Sequence, residues 1–135
     1  RFFATSDFLS ALKTLTKRPK FGYKYCERDA YNYFKGRTMA DLLSDGSLIR
    51  RFSGQKEILY RKVRIAISAT KSGKRDGYRL LYLALPEEDM ICLLYIYPKT
   101  GRYGVGQLTE AEQARFLENF YLEKRQDALA VLGLS

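Results

Sequence analysis

The sequence predicts an α+β domain, in which helices flank a mainly antiparallel sheet. Three observations carry that reading. Between residues 57 and 97 the chain alternates or runs apolar as strands do, in "KVRIAIS", "GYRLLYLAL" and "MICLLYIY". Before and after that block, apolar residues recur at helical spacing, behind recognisable caps. At 135 residues, with 46% apolar and 29% charged side chains, the chain is one domain spanning 1–135 with a buried core.

"RFFATSDFLSAL" opens with a short apolar strand over about residues 1–4, and Thr5 or Ser6 caps the helix that follows. Phe8, Leu12 and Leu15, with Ala11, give that helix one apolar face, and Arg18-Pro19 ends it. "CERDAYNYF" is helical as far as Gly36. "TMADLL" begins a second short helix, with Thr38 as cap and Asp41 three residues on, and Gly46 stops it. "SLIRRFSGQKE" shows neither period and is expected to be irregular chain.

In "KVRIAIS", Val63, Ile65 and Ile67 alternate with Arg64, Ala66 and Ser68, which sets Arg64 on the face opposite the Val/Ile row. "TKSGKRD" is the loop to the next strand, where Arg79 shares a face with Leu81 and Leu83, and Tyr78 with Leu80 and Tyr82. An acidic turn, "LPEED", leads into "MICLLYIY", apolar on both faces and therefore central. "TEAE" at 109–112 is a capping box, and a C-terminal helix is expected from there to about residue 131. Its apolar face comprises Leu117, Phe120, Tyr121, Ala128 and Leu132.

Charge is placed unevenly. Of a net +9, residues 50–79 hold ten Lys/Arg against Glu57 and Asp76, whereas residues 80–135 are net acidic. Lys71, Lys74, Arg75 and Arg79 crowd around two glycines, opposed only by Asp76. Such a footprint points to a polyanion, with nucleic acid foremost. The chain has no histidine, which excludes Ser-His-Asp and Cys-His triads and a nuclease working through paired histidines. Cys26 and Cys92 form no disulfide framework, and no metal site or cofactor is expected. The longest apolar run is too short to span a bilayer and no signal peptide is read, so a cytoplasmic protein without a membrane partner is expected. "KSGK" lacks P-loop spacing and "GRYGVG" opens no helix, so neither is a nucleotide fingerprint.

The order and spacing of "KVRIAISATKSGKRDGYRLLYLAL", "ICLLYIYPKT" and "LTEAE" resemble the RelE/HigB group of toxins from bacterial toxin–antitoxin systems, over roughly residues 57–115. The resemblance implies a RelE-like fold, a curved, mainly antiparallel sheet with helices against one side. It also implies an endoribonuclease that cleaves messenger RNA, usually on the ribosome, and is held inactive by a cognate helix-turn-helix antitoxin. The group's catalytic residues lie in the loop before the Gly-x-Arg strand, on that strand and just after the next one. Those places here hold Lys71 and Lys74, then Arg79, then Lys99, with Tyr97 beside it. Asp76-Gly77 stands where many members have two glycines.

Metal-free cleavage of RNA needs a base for the 2′-hydroxyl, stabilisation of the phosphorane charge and an acid for the 5′-oxygen. Lys74 is the expected base with Lys71 as its substitute, since neighbouring cations favour the neutral amine. Arg79 holds the scissile phosphate through its planar fork, and Lys99 assists the leaving oxygen. Arg64 reaches the same surface, and Arg75 and Arg102 hold flanking phosphates. Two other readings remain open at this point: a ParE-like gyrase inhibitor that acts by binding, and an RNA-binding module without activity.

Overall fold

The computed structural model describes residues 1–18, 22–70 and 73–134. In chain order the elements are β1 (Phe2–Ala4), α1 (Ser6–Thr16), α2 (Cys26–Phe34), α3 (Met39–Ser44), β2 (Ser47–Phe52), β3 (Ile58–Ile65), β4 (Tyr78–Leu85), β5 (Met90–Pro98), α4 (Glu110–Arg125) and β6 (Ala130–Leu132). The strands form one sheet in the order β2-β3-β4-β5-β1-β6, in which only the β1–β5 pairing is parallel.

The helices begin where their caps dictate. Thr5 Oγ1 accepts from Phe8 N–H, and Thr38 and Thr109 each close a reciprocal box with the carboxylate three residues on, Asp41 and Glu112. The boxes also hold the carboxyls of Asp41 and Glu112 below their ordinary values, backbone hydrogen bonding being the largest cause.

Helices cover both faces of the sheet, not one. Phe8, Leu12, Leu15, Ala30, Phe34 and Leu42 of α1–α3 pack on Tyr78, Leu80 and Tyr82, while Phe116 and Phe120 of α4 pack on Leu81, Leu83 and Leu94. The reason lies in β4 and β5: all eight residues of β4 are buried, so the strand needs an apolar layer on each side. The β4–β5 register shifts by one residue through a bulge at Leu94, with Leu81 opposite Tyr95 but Tyr82 opposite Leu93.

Two expectations are corrected. "SLIRRF" is a strand, β2, paired with β3 from Ser47↔Lys62 to Phe52↔Ile58. It is an edge strand, half exposed along both faces, and therefore lacks the alternation that burial on one side imposes. The C-terminal helix stops at Arg125 rather than near 131. Asp127 adopts a left-handed φ of 54°, the chain reverses, and Ala130–Leu132 joins β1 antiparallel. Ala128 is exposed, and Leu132 belongs to that strand.

Phe34 is the hub of the α1–α3 side, fully buried with its ring edge-on to Phe2 at 6.0 Å, Tyr82 at 5.5 Å and Tyr33 at 5.1 Å. Phe34→Ala is expected to lower the unfolding free energy by about 3–5 kcal/mol. In urea the midpoint should fall with the slope unchanged, and a loss under about 1 kcal/mol would show that the site collapses to refill the space.

Candidate functional site

β3 outruns its outer neighbour. β2 stops pairing at Ser47↔Lys62, which leaves Val63–Ile65 without a strand on that side, and a cleft of about 590 Å³ opens in the notch. Period-2 geometry puts Lys62 and Arg64 on one face of β3. In register, Arg64 lies opposite Arg79 on β4, and Arg79 opposite Tyr97 on β5. Lys74 enters from a one-turn 3-10 helix over 74–76, Lys99 from the end of β5, and Arg37 from the link between α2 and α3. Six cations thus line the cleft with one acid, Asp45.

Two glycines bring the flanking chain close enough. A Cβ on Gly77 would stand 2.0 Å from the Ile65 carbonyl oxygen, and one on Gly46 would stand 2.2 Å from that of Lys62. Gly46 also has a φ of +68°, a conformation that a side chain disfavours.

The cations fall into two groups. Some are engaged by the chain that frames the cleft, through main-chain carbonyls or, for Arg37, through a carboxylate and a ring. Arg79, 5% exposed, donates from Nη2 to the Arg75 carbonyl at 2.8 Å and from Nη1 to those of Lys74 at 3.1 Å and Tyr78 at 3.3 Å. Arg61, on the opposite face, donates from Nε to the Asp45 carbonyl at 2.7 Å and from Nη2 to that of Ser44 at 3.2 Å. Lys99 Nζ donates to the Gly106 carbonyl. Arg37 faces Asp45 at 3.7 Å and lies over the Tyr33 ring at 4.0 Å. The other group is Lys62, Arg64 and Lys74, whose side chains have no hydrogen bond or ion pair among the described residues.

Burial lowers the ammonium pKa of Lys62, and the charges of Lys99, Arg79 and Arg64 lower it further. Arg79 is likewise pushed down, first by burial and then by Arg64, although a guanidinium stays charged throughout. Burial raises the Tyr97 phenol, with Arg79 opposing.

Of the residues singled out from sequence, Lys74, Arg79, Lys99 and Arg64 meet in this cleft. Lys71 lies outside the described residues. Tyr97, 3% exposed, borders a different cleft on the far side of β5. Arg75 is exposed on the 74–76 turn, and Arg102 stands in the exposed loop after β5, 5.8 Å over Tyr103; neither lines the cationic cleft. Lys62 and Arg37 were missed. The alternation that placed Arg64 also places Lys62, whereas no local signal marks Arg37, which arrives through the fold.

Among the described residues no three His, Cys, Asp or Glu side chains stand together as a ligand set for a metal. No helix among them is long and apolar enough to cross a membrane. Both cysteines are free and buried, and burial pushes the Cys26 thiol up to about 12, so it is no nucleophile at neutral pH. Comparison with protein-family models, curated proteins and solved structures finds no match to this chain.

Arg79→Lys keeps the charge but loses the fork that holds the 74–76 turn. The amides of Asp76 and Gly77, which donate to the Gly73 carbonyl at 3.2 Å and the Lys74 carbonyl at 3.3 Å, should exchange about tenfold faster or more in this variant. Unchanged hydrogen exchange would show that the turn holds itself.

Proposed function

We propose that this protein is a RelE/HigB-like endoribonuclease, the toxin of a toxin–antitoxin pair. In this reading it cleaves messenger RNA on the translating ribosome without a metal and is neutralised by a helix-turn-helix antitoxin. The six-stranded, mostly antiparallel sheet agrees with a RelE-like fold at the level of class. One observation carries the functional reading: an open cleft lined by six cations, three of them without a bonded partner among the described residues. Electrostatically, that is a seat for phosphate.

The chemistry then assigns roles. Lys62 is the base in place of Lys74, because it is the half-buried amine whose neutral form the surroundings favour. It takes the proton of the 2′-hydroxyl as the 2′-oxygen bonds to phosphorus. Arg64 sets its planar fork on the phosphorane oxygens. Lys74 protonates the 5′-oxygen as the P–O5′ bond breaks, leaving a 2′,3′-cyclic phosphate and a 5′-hydroxyl end. Arg79 adds positive charge but acts chiefly by holding the turn that carries Lys74, and Lys99 does the same for the loop ending at Gly106.

The test is cleavage of messenger RNA by the purified protein, with and without translating ribosomes, mapped by 5′-hydroxyl ends. New ends within coding sequence, resistant to chelators, are expected. Lys62→Met should lower the rate by about 100-fold or more, the usual share of a general base. Only the neutral amine accepts a proton, so the rate should climb with pH below the ordinary lysine value of about 10.4 and fall again at higher pH, where the general acid has no proton to give. RNA binding without cleavage would reduce the protein to a binding module. Growth arrest without new RNA ends would move gyrase inhibition to the front.

A further inference from the structure

β5 has a notch of its own. β1 pairs with β5 only as far as Ala4↔Leu93, so Tyr95–Pro98 have no strand outside them, and a second cleft of about 340 Å³ opens there between α1 and α4. Its walls are aromatic and cationic. Tyr95 stacks on Phe116 with centroids 4.3 Å apart and planes at 18°, and the Arg115 guanidinium lies 5.2 Å over Phe116. Arg18, at the end of α1, sits 3.9 Å over the ring of Tyr103. Asp7 supplies one carboxylate, whose Oδ2 accepts from Asn119 Nδ2 at 2.7 Å.

The two clefts flank the same end of the sheet. Arg64, Arg79 and Tyr97 form one cross-strand row; the first two border the cationic cleft and the third borders the aromatic one. Two strand spacings separate the ends of that row, about 10 Å. The loop after β5 serves both clefts, with Lys99 lining the first and Tyr103 and Val105 the second.

We propose that the aromatic cleft is a nucleotide subsite for the same RNA strand, taking a base beyond the scissile phosphate; this rests on the RNA-cleaving reading of the cationic cleft. Phe116 is 1% exposed and lies against Tyr95, so the rings a base can meet are the part-exposed Tyr95 and Tyr103, while Arg18 and Arg115 supply charge for its phosphates, the combination that single-stranded nucleic acid needs. Arg18 and Arg115 at the rim receive the phosphates. The Asp7 carboxylate, which a phosphate avoids, suits the exocyclic amine of a base. A partner protein is the competing occupant. The closeness of the two clefts favours one continuous strand, because an extended polyanion leaving the first cleft meets the second within a short span.

Binding of 2′-O-methyl oligonucleotides, which cannot supply the attacking hydroxyl, tests this by fluorescence anisotropy from a dinucleotide up to about 12 nucleotides. Affinity for the parent protein should rise with length once both clefts are reached. In Tyr103→Ala/Arg115→Gln that gain should fall roughly tenfold or more, the scale of one lost base stack. Arg18→Gln, a single change at the surface, serves as the second variant, and thermal unfolding verifies that each is folded. If both variants keep the full gain with length, the subsite is refuted and the cleft is open to a protein partner. If the parent binds no oligonucleotide of any length, the RNA reading fails and the subsite falls with it.

Discussion

Arg79 is a cation almost wholly removed from water, with no carboxylate in ion-pair contact among the described residues. Burying such a charge is costly unless dipoles replace its hydration. Here three main-chain carbonyls do so, and two of them belong to the turn that presents Lys74. The desolvation of one arginine and the placement of the next cation are therefore a single constraint. Arg61 repeats the device on the other face: its guanidinium holds the Ser44 and Asp45 carbonyls where α3 passes into β2. Both arginines stand on eight-residue strands of the sheet, so the frame of the cleft is tied to the sheet itself.

Strand length explains where the sites lie. β3, β4 and β5 extend beyond β2 on one side and β1 on the other, and the uncovered segments, Val63–Ile65 and Tyr95–Pro98, face each other across β4. An uncovered strand edge carries unsatisfied main-chain groups and invites pairing with another chain. Charged residues along the first edge and flanking helices along the second guard against that, and both leave concave space. A basic cleft and an aromatic cleft at one end of one sheet follow from the same inequality of strand lengths.

Sequence reveals what is decided locally. The capping threonines, the alternation in β3 and the doubly apolar β5 are each written within a few residues, and they placed the central strands and Arg64; Lys74, Arg79 and Lys99 came from the crowded charge of the loop and from the family resemblance. What the sequence concealed is decided at a distance. β2 is a strand because Ile58–Lys62 offers it an edge, and without burial it has no period to display. β6 continues the apolar spacing of α4, and the left-handed Asp127 that separates them looks like any other exposed aspartate in the sequence. Tyr97 shares its row with Arg79 as alternation requires, yet it borders the other cleft. Nothing local distinguishes an arginine bonded to carbonyls from one left unbonded. Among the described residues that difference separates Arg79 from Arg64, its partner in register.

The division among the cations is also an argument about stability. Lys62 and Arg64 lie two residues apart on one face of β3, facing Arg79 and Lys99, and like charges so close destabilise the folded state. A chain selected for stability alone would place carboxylates among them, as Asp45 does for Arg37. The protein instead leaves Lys62 and Arg64 without an ion pair among the described residues, two positions apart on one strand. Loss of the Lys62 proton or the arrival of a negatively charged ligand lowers that energy. Burial first, and the neighbouring charges second, favour the neutral amine at Lys62, and in the proposed reading the same crowding of charge draws phosphate toward Arg64.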